Sequence, residues 1–192
     1  DPPAIQSTAT VIMNCLLDVG LDSLVGSKLA CINVDREMLL SGYLWALPSD
    51  RVVLEILETV DPDVEVVAAC LEAKRKGFLI AMDDVSEATH GNPLLAVADI
   101  VKVDFRITSP ATRKDMVLRY GRNKAIMVAE KVESEEEFRE AAAYGYQYFQ
   151  GYFLARPKMM FGRPMPASAV SLLRILSELA REDVTLGPLE KL

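Results

Sequence analysis

The chain has 192 residues, of which 51% are hydrophobic, and this is enough material for one sizeable core. Its formal net charge of -7 argues against a nucleic-acid backbone or an anionic membrane as the main partner, because both select basic surfaces. We find no hydrophobic run of membrane-spanning length and no secretory signal, and we expect a cytoplasmic protein. The three cysteines, Cys15, Cys31 and Cys70, show no metal-ligand spacing and are interpreted as reduced core residues.

Strand and helix signals alternate along the chain. A first helix is predicted before Gly20, and further helices are predicted near residues 37–40, 64–76, 112–121, 134–145 and 170–180. Six hydrophobic runs predict strands at residues 29–34, 52–58, 78–83, 99–104, 124–130 and 147–150. This alternation indicates βα units and a parallel α/β sheet. Because no Gly-rich phosphate-binding turn follows an early strand, a TIM-like (β/α) barrel fits better than a doubly wound sheet.

Nearly every predicted strand ends on a polar residue. The carboxyl ends of barrel strands meet at one rim, where several carboxylates repel one another unless cations join them. Oxygen ligands without His or Cys favour Mg²⁺, Mn²⁺ or Ca²⁺ over zinc, and Lys102 is the obvious counter-charge, which could also orient an attacking water. The rim residues are Asn33, Glu55, Glu58, Asp83, Asp84, Lys102, Asp104, Glu130 and Gln150.

The order and spacing of these residues resemble a known signature. The matching runs are LEILE at 54–58, IAMDD at 80–84, VKVD at 101–104, VAE at 128–130, and QGY followed by RP at 150–157. Together they resemble EAL domains, barrel-shaped phosphodiesterases of bacterial signalling that hydrolyse cyclic di-GMP to linear pGpG. The resemblance extends along nearly the whole chain, and it implies a barrel of the EAL type.

The resemblance also implies roles for individual residues. It places a first metal ion on Asn33, Glu55 and Asp83, and a second on Asp84 and Glu130, with Mg²⁺ or Mn²⁺ as the cofactor. Lys102 is expected to contact the attacking water, and Glu130 is expected to act with it in catalysis. The loop after Asp84 is expected to be anchored by Glu58. Substrate binding is assigned to Gln150, Arg156 and Pro157.

The chain departs from the family pattern at two places. The strand with the family's name motif, Glu-x-Leu-x-Arg, is expected to precede Asp1, which would leave the barrel incomplete at its N-terminus. The family's Asp-Asp-Phe-Gly segment, in a loop that couples metal binding to dimerisation, reads Asp83-Asp84-Val85-Ser86. The chain therefore most resembles EAL-like domains that precede an HDOD module, many of which are thought to be catalytically degenerate.

We expect residues 1–181 to form the barrel domain and residues 182–192 to form a linker to a downstream signalling domain. Three hypotheses for the function follow. The first is metal-dependent hydrolysis of cyclic di-GMP, and the second is a degenerate module that binds cyclic di-GMP or a protein partner. The third, an enolase-like metal-dependent enzyme, needs a second basic group, and no second lysine ends a predicted strand. A homodimer remains open.

Overall fold

The computed structural model describes residues 21–121 and 125–154. The predicted first and last helices, the linker, Arg156 and Pro157 lie outside these described residues. The α-helices are α1 (Leu21–Val25), α2 (Arg36–Leu40), α3 (Val64–Arg75), α4 (Leu94–Val97), α5 (Pro110–Arg119) and α6 (Glu135–Tyr144). Short 3-10 helices cover Tyr43–Ala46 and Glu87–Thr89.

Within the described residues, six parallel strands form one sheet in the order in which they occur along the chain. They are β1 (Ala30–Val34), β2 (Val52–Ile56), β3 (Leu79–Val85), β4 (Ile100–Asp104), β5 (Ile126–Glu130) and β6 (Tyr148–Phe149). The predicted βα alternation is confirmed, and all six predicted strands are present. Each predicted range differs from the observed strand by one or two residues at an end, and at the site β2 ends before Glu58 while β3 continues through Asp84 to Val85.

Polar side chains at the predicted boundaries start the longer helices. Asp63 accepts a hydrogen bond from the Val66 amide at 2.8 Å and so caps α3. Ser109 and Ser134 cap α5 and α6 in the same way, through the amides of Thr112 and Glu137. Each cap follows the carboxyl end of a strand, so these three helices begin at the rim where β2, β4 and β5 end.

The core lies between the sheet and its helices and is built from the hydrophobic runs of the sequence. Every residue of β2 is buried, including Glu55, which is 6% exposed. Cys70 is buried, as predicted. The same prediction is wrong for Cys31, which is exposed: it belongs to β1, the first strand in the order of the described sheet, and it lines the rim cavity.

The register of the strands shows a stagger that brings successive strand ends to one level. Glu55 on β2 pairs with Ala81 on β3, which lies two residues before Asp83. The Asp83 carboxylate is therefore offset by two residues along the sheet from that of Glu55. Lys102 pairs with Val128, two residues before Glu130, and the same offset recurs between β4 and β5. A repeated offset of this kind is the shear that tilted strands need to curve into a barrel.

Within the part of the chain that the structure describes, no helix combines the length and the hydrophobicity that a membrane crossing requires.

Gly151 provides a test of how tightly the end of β6 packs. A side chain at this position would meet the backbone of Val132, whose amide donates to the Gln150 carbonyl at 3.0 Å. We expect Gly151→Ala to lower the free energy of unfolding by at least about 1 kcal/mol, because backbone cannot move aside as a flexible side chain can. Chemical denaturation measures the difference.

Gly121→Ala is the matched control, since its new methyl group would meet a side-chain atom, Met127 Cγ, at 3.1 Å. That side chain can shift, so the cost is expected to be smaller. Equal stabilities for the two variants would contradict the packing argument.

Candidate metal centre

A cavity of about 350 Å³ opens where the carboxyl ends of the strands meet. Seven of the residues predicted for the site line this cavity: Asn33, Glu55, Asp83, Asp84, Lys102, Glu130 and Gln150. Cys31 and Lys131 complete the lining. The structure thus brings together side chains from six different strand ends, separated by up to more than a hundred residues in sequence.

Lys102 lies at the centre of the acidic cluster. Its ammonium group contacts Asp83 Oδ1 at 2.8 Å and Glu130 Oε1 at 2.7 Å, and it also contacts Glu55 Oε1. These three acids belong to β3, β5 and β2, so one lysine on β4 holds three other strands. Since Lys102 is only 7% exposed, its charge depends on these partners.

A β-bulge explains how Asp83 and Asp84 both reach the cavity. Neighbouring side chains on a regular strand point to opposite faces. Here Met82 pairs with Val101 and Val85 pairs with Val103, so that two residues of β3 stand opposite the single residue Lys102. Asp84 has a φ of +45°, in the left-handed region, and this turns its carboxylate towards the same pocket.

Lys131 is a second cation at the rim that the sequence analysis did not identify. It follows the last residue of β5 with a φ of +56°, and its Nζ contacts Asp84 Oδ1 at 2.7 Å and Asp104 Oδ2 at 2.6 Å. Burial acts against its charge, but hydrogen bonds to Asp104 and Asp84 outweigh that effect and raise the pKa of the ammonium. A second lysine therefore reaches the rim although none was expected at a strand end, because Lys131 directly follows β5 and lines the cavity.

Burial also perturbs the acids around Lys102. It raises the pKa of the Glu130 carboxyl to about 7 against the opposing effect of Lys102, and the charge of Asp83 adds to the rise. Burial raises the pKa of Asp83 as well, and repulsion from Asp84 and Glu58 acts in the same direction. The carboxylates of this site are therefore short of positive charge in the metal-free protein.

The donor set fits divalent cations that prefer oxygen. Carboxylate oxygens of Glu55, Asp83 and Glu130 lie within 4.8 Å of one another, and so do those of Glu58, Asp83 and Asp84. Among the residues that the structure describes, Glu130 Oε2 is buried and has no hydrogen-bond partner. A buried acceptor without a donor is costly, and a cation would satisfy it. Oxygen ligands suit Mg²⁺, Mn²⁺ and Ca²⁺.

The loop after β3 has an anchor that the sequence analysis missed. Glu87 Oε1 accepts a hydrogen bond from the Ser109 amide at 3.2 Å and another from the Thr112 hydroxyl, which ties the loop to the start of α5. Glu58, the predicted anchor, is exposed and lies beside Asp83 and Asp84. The sequence does not reveal this role of Glu87, because its partners lie more than 20 residues away along the chain.

The fold and the site together define a class of protein: a parallel α/β barrel with an acidic rim at the carboxyl ends of its strands, whose oxygen donors could hold a metal ion. The EAL domain model matches residues 37–157, which is more than half of the chain. The chain therefore belongs to the EAL domain family.

Two curated proteins resemble most of the chain. The uncharacterized protein YuxH of Bacillus subtilis is 29% identical over 183 residues, covering 93% of this chain and 45% of YuxH. The cyclic di-GMP phosphodiesterase CdgJ of Vibrio cholerae is 28% identical over 190 residues, covering 97% of this chain and 44% of CdgJ. The chain thus spans less than half the length of either relative.

Solved structures confirm the TIM-like barrel of the EAL type. YkuI of Bacillus subtilis, solved with cyclic di-GMP and calcium, has a TM-score of 0.66 at 18% identity, and the match covers 94% of this chain and 50% of that one. BlrP1 of Klebsiella pneumoniae, solved with manganese and cyclic di-GMP, has a TM-score of 0.62 at 26% identity over 83% of this chain and 44% of that one.

The raised pKa of Glu130 predicts a pH dependence of stability. Its folded pKa of about 7 lies above its ordinary value of 4.5, so the unfolded chain releases this proton first as pH rises. The free energy of unfolding of the metal-free protein should therefore fall between about pH 4.5 and pH 7, by on the order of 3 kcal/mol from this group. Glu130→Gln should remove that fall, as measured by urea denaturation with a chelator present.

Glu136→Gln is the control, because Glu136 is an exposed acid of α6. We expect the wild type and this control to show the same slope with pH. A slope in Glu130→Gln that equals theirs would contradict the assignment.

Proposed function

We propose that the rim cavity binds cyclic di-GMP and that the protein hydrolyses one of its phosphodiester bonds to give linear pGpG, using Mg²⁺ or Mn²⁺. The observation that carries this proposal is the convergence of Glu55, Asp83 and Glu130 on one buried centre with an unsatisfied acceptor. Membership of the EAL family and the similarity to CdgJ support cyclic di-GMP as the substrate.

The side chains have distinct tasks in this proposal. We assign one cation to Asn33, Glu55 and Asp83, and a second to Asp84 and Glu130. Bound cations would acidify the attacking water and neutralise charge on the phosphate. Because Lys102 contacts three of the acids in the metal-free protein, a cation on those acids frees its ammonium to donate hydrogen bonds to the attacking water.

The remaining assignments complete the substrate site. Gln150 directly follows β6 and lines the cavity, and we assign its amide to the nucleotide. Arg156 and Pro157 are assigned to the substrate by the family pattern. Rigid placement of such groups and fixed charges accounts for most of the acceleration in reactions of this type.

A parent protein larger than this chain is part of the proposal. We infer that a strand carrying Glu-x-Leu-x-Arg precedes residue 1 and that residues 182–192 lead to a signalling module of the HDOD type. The support is that the chain spans less than half of YuxH and of CdgJ. A cytoplasmic location and a homodimer belong to the same proposal.

Hydrolysis tests the proposal directly. Glu55→Gln in the full-length protein should lower the rate of pGpG formation by at least about 100-fold, because it removes a negative ligand from the buried centre without changing its shape. Chromatography of the products with Mg²⁺ or Mn²⁺ present measures the rate. Glu136→Gln, in an exposed acid, should keep the wild-type rate, and equal rates for both variants would remove Glu55 from the site.

Binding without turnover is the second candidate function. The engagement of Asp84 by Lys131 and the replacement of Phe-Gly by Val85-Ser86 favour it, because both alter the side of the site assigned to the second cation. In that case calorimetry with Ca²⁺ present should show saturable binding of cyclic di-GMP, with no pGpG formed in Mg²⁺ or Mn²⁺. The absence of any nucleotide binding would leave recognition of a protein partner.

Family membership leaves the enolase-like hypothesis without an observation that favours it.

A further inference from the structure

Lys131 occupies a position that the assigned metal chemistry does not explain. Its ammonium group lies between Asp84 Oδ1 and Asp104 Oδ2, at 2.7 Å and 2.6 Å. Asp84 lines the cavity, and it is one of the acids whose oxygens lie close enough together to hold an ion. A protein cation is therefore bound to a carboxylate that the proposed function gives to a metal.

The backbone at Lys131 indicates that this contact is more than an incidental surface ion pair. The φ of +56° at Lys131 lies in the left-handed region, which residues other than glycine rarely adopt. This conformation directs residue 131, immediately after Glu130, into the same cavity as Glu130. The strain is offset by two short ion pairs inside an acid-rich rim.

We propose that Lys131 is a tethered counter-cation, so that a divalent cation binds Asp84 only in competition with the Lys131 ammonium. This inference rests on the proposed metal site and deepens it, because it names the residue that sets the occupancy of the second ion. Lys131 lowers the affinity of the position at Asp84 for a divalent cation. The position at Glu55 and Asp83 keeps its affinity, because Lys131 does not contact those two acids.

The physical basis of the competition is that one carboxylate oxygen cannot contact an ammonium and a divalent cation together without strong repulsion between them. Lys102 is 7% exposed and lies within a central strand, so its ammonium can shift only inside the cavity and cannot rotate into solvent. Lys131 follows the end of β5, its side chain is 40% exposed, and it can rotate into solvent.

Asp104 makes this rotation possible. It is 3% exposed, and its Oδ1 accepts a hydrogen bond from the Arg106 amide at 2.7 Å. When Lys131 leaves, Asp104 keeps this backbone donor and is not left without a partner. The exchange therefore costs one ion pair at Asp104 and replaces the other, at Asp84, with a metal contact.

The test titrates the full-length, metal-free protein with Mn²⁺ alone and follows the heat of binding. Lys131→Met removes the charge but keeps the length of the side chain, and Lys131→Gly also relieves the positive φ. We expect both variants to bind Mn²⁺ about tenfold more tightly at the weaker step, or to bind one additional ion at the same concentration. Lys28→Ala, which removes an exposed lysine outside the cavity, is expected to match the wild type.

Each alternative result decides the question. Unchanged Mn²⁺ binding in both Lys131 variants would overturn the proposal. Tighter binding in Lys131→Gly alone would assign the effect to backbone strain, and tighter binding in Lys28→Ala would assign it to net charge, so both results also count against it. If no form of the protein binds Mn²⁺, the proposal fails with the metal site itself.

The inference and the proposed function can fail separately, because the titration uses no nucleotide. A protein that binds Mn²⁺ but forms no pGpG would contradict hydrolysis and still allow the comparison of the variants. A protein that forms pGpG with unchanged Mn²⁺ binding in the Lys131 variants would keep the function and lose the role of Lys131.

Discussion

The ion pairs of Lys102 with Glu55, Asp83 and Glu130 are the interaction on which the rest of this structure depends. None of the four side chains can ionise at low cost away from water unless it has partners. The four residues come from four neighbouring strands. Pairing their charges therefore also constrains how far each strand is shifted along its neighbour. The stagger of the sheet and the composition of the site are therefore two consequences of one electrostatic requirement.

The same cluster holds more negative charge than its lysines neutralise. Among the described residues, six carboxylates lie at the rim or directly beside it, and two ammonium groups contact members of this set. The acids are Glu55, Glu58, Asp83, Asp84, Asp104 and Glu130, and the lysines are Lys102 and Lys131. Burial and the charge of Asp83 raise the pKa of Glu130 to about 7, so this acid ionises less readily than a free carboxyl. A cluster of carboxylates with too few counter-charges is suited to binding cations.

Backbone geometry supplies the second constraint. Asp84 and Lys131 both have positive φ, and each directly follows another residue of the cavity. In a regular strand one member of each pair would point to the helices instead. Both departures from regular geometry lie at the carboxyl rim, where the family carries its chemistry, and the ion pair between Asp84 and Lys131 joins them. Strained backbone at a functional site is thus balanced by the charges that it brings together.

Much of this protein could be read from its residues. Hydrophobic runs of strand length, separated by helical patterns, determined the parallel α/β sheet, and the polar residues at the ends of those runs identified seven of the nine residues that line the cavity. Only the tertiary structure decided the bulge at Asp84, the position of Lys131, the exposure of Cys31 and the contacts of Glu87. The reason is physical: a strand's hydrophobicity is local, whereas register, left-handed backbone and ion pairing depend on partners from distant parts of the chain.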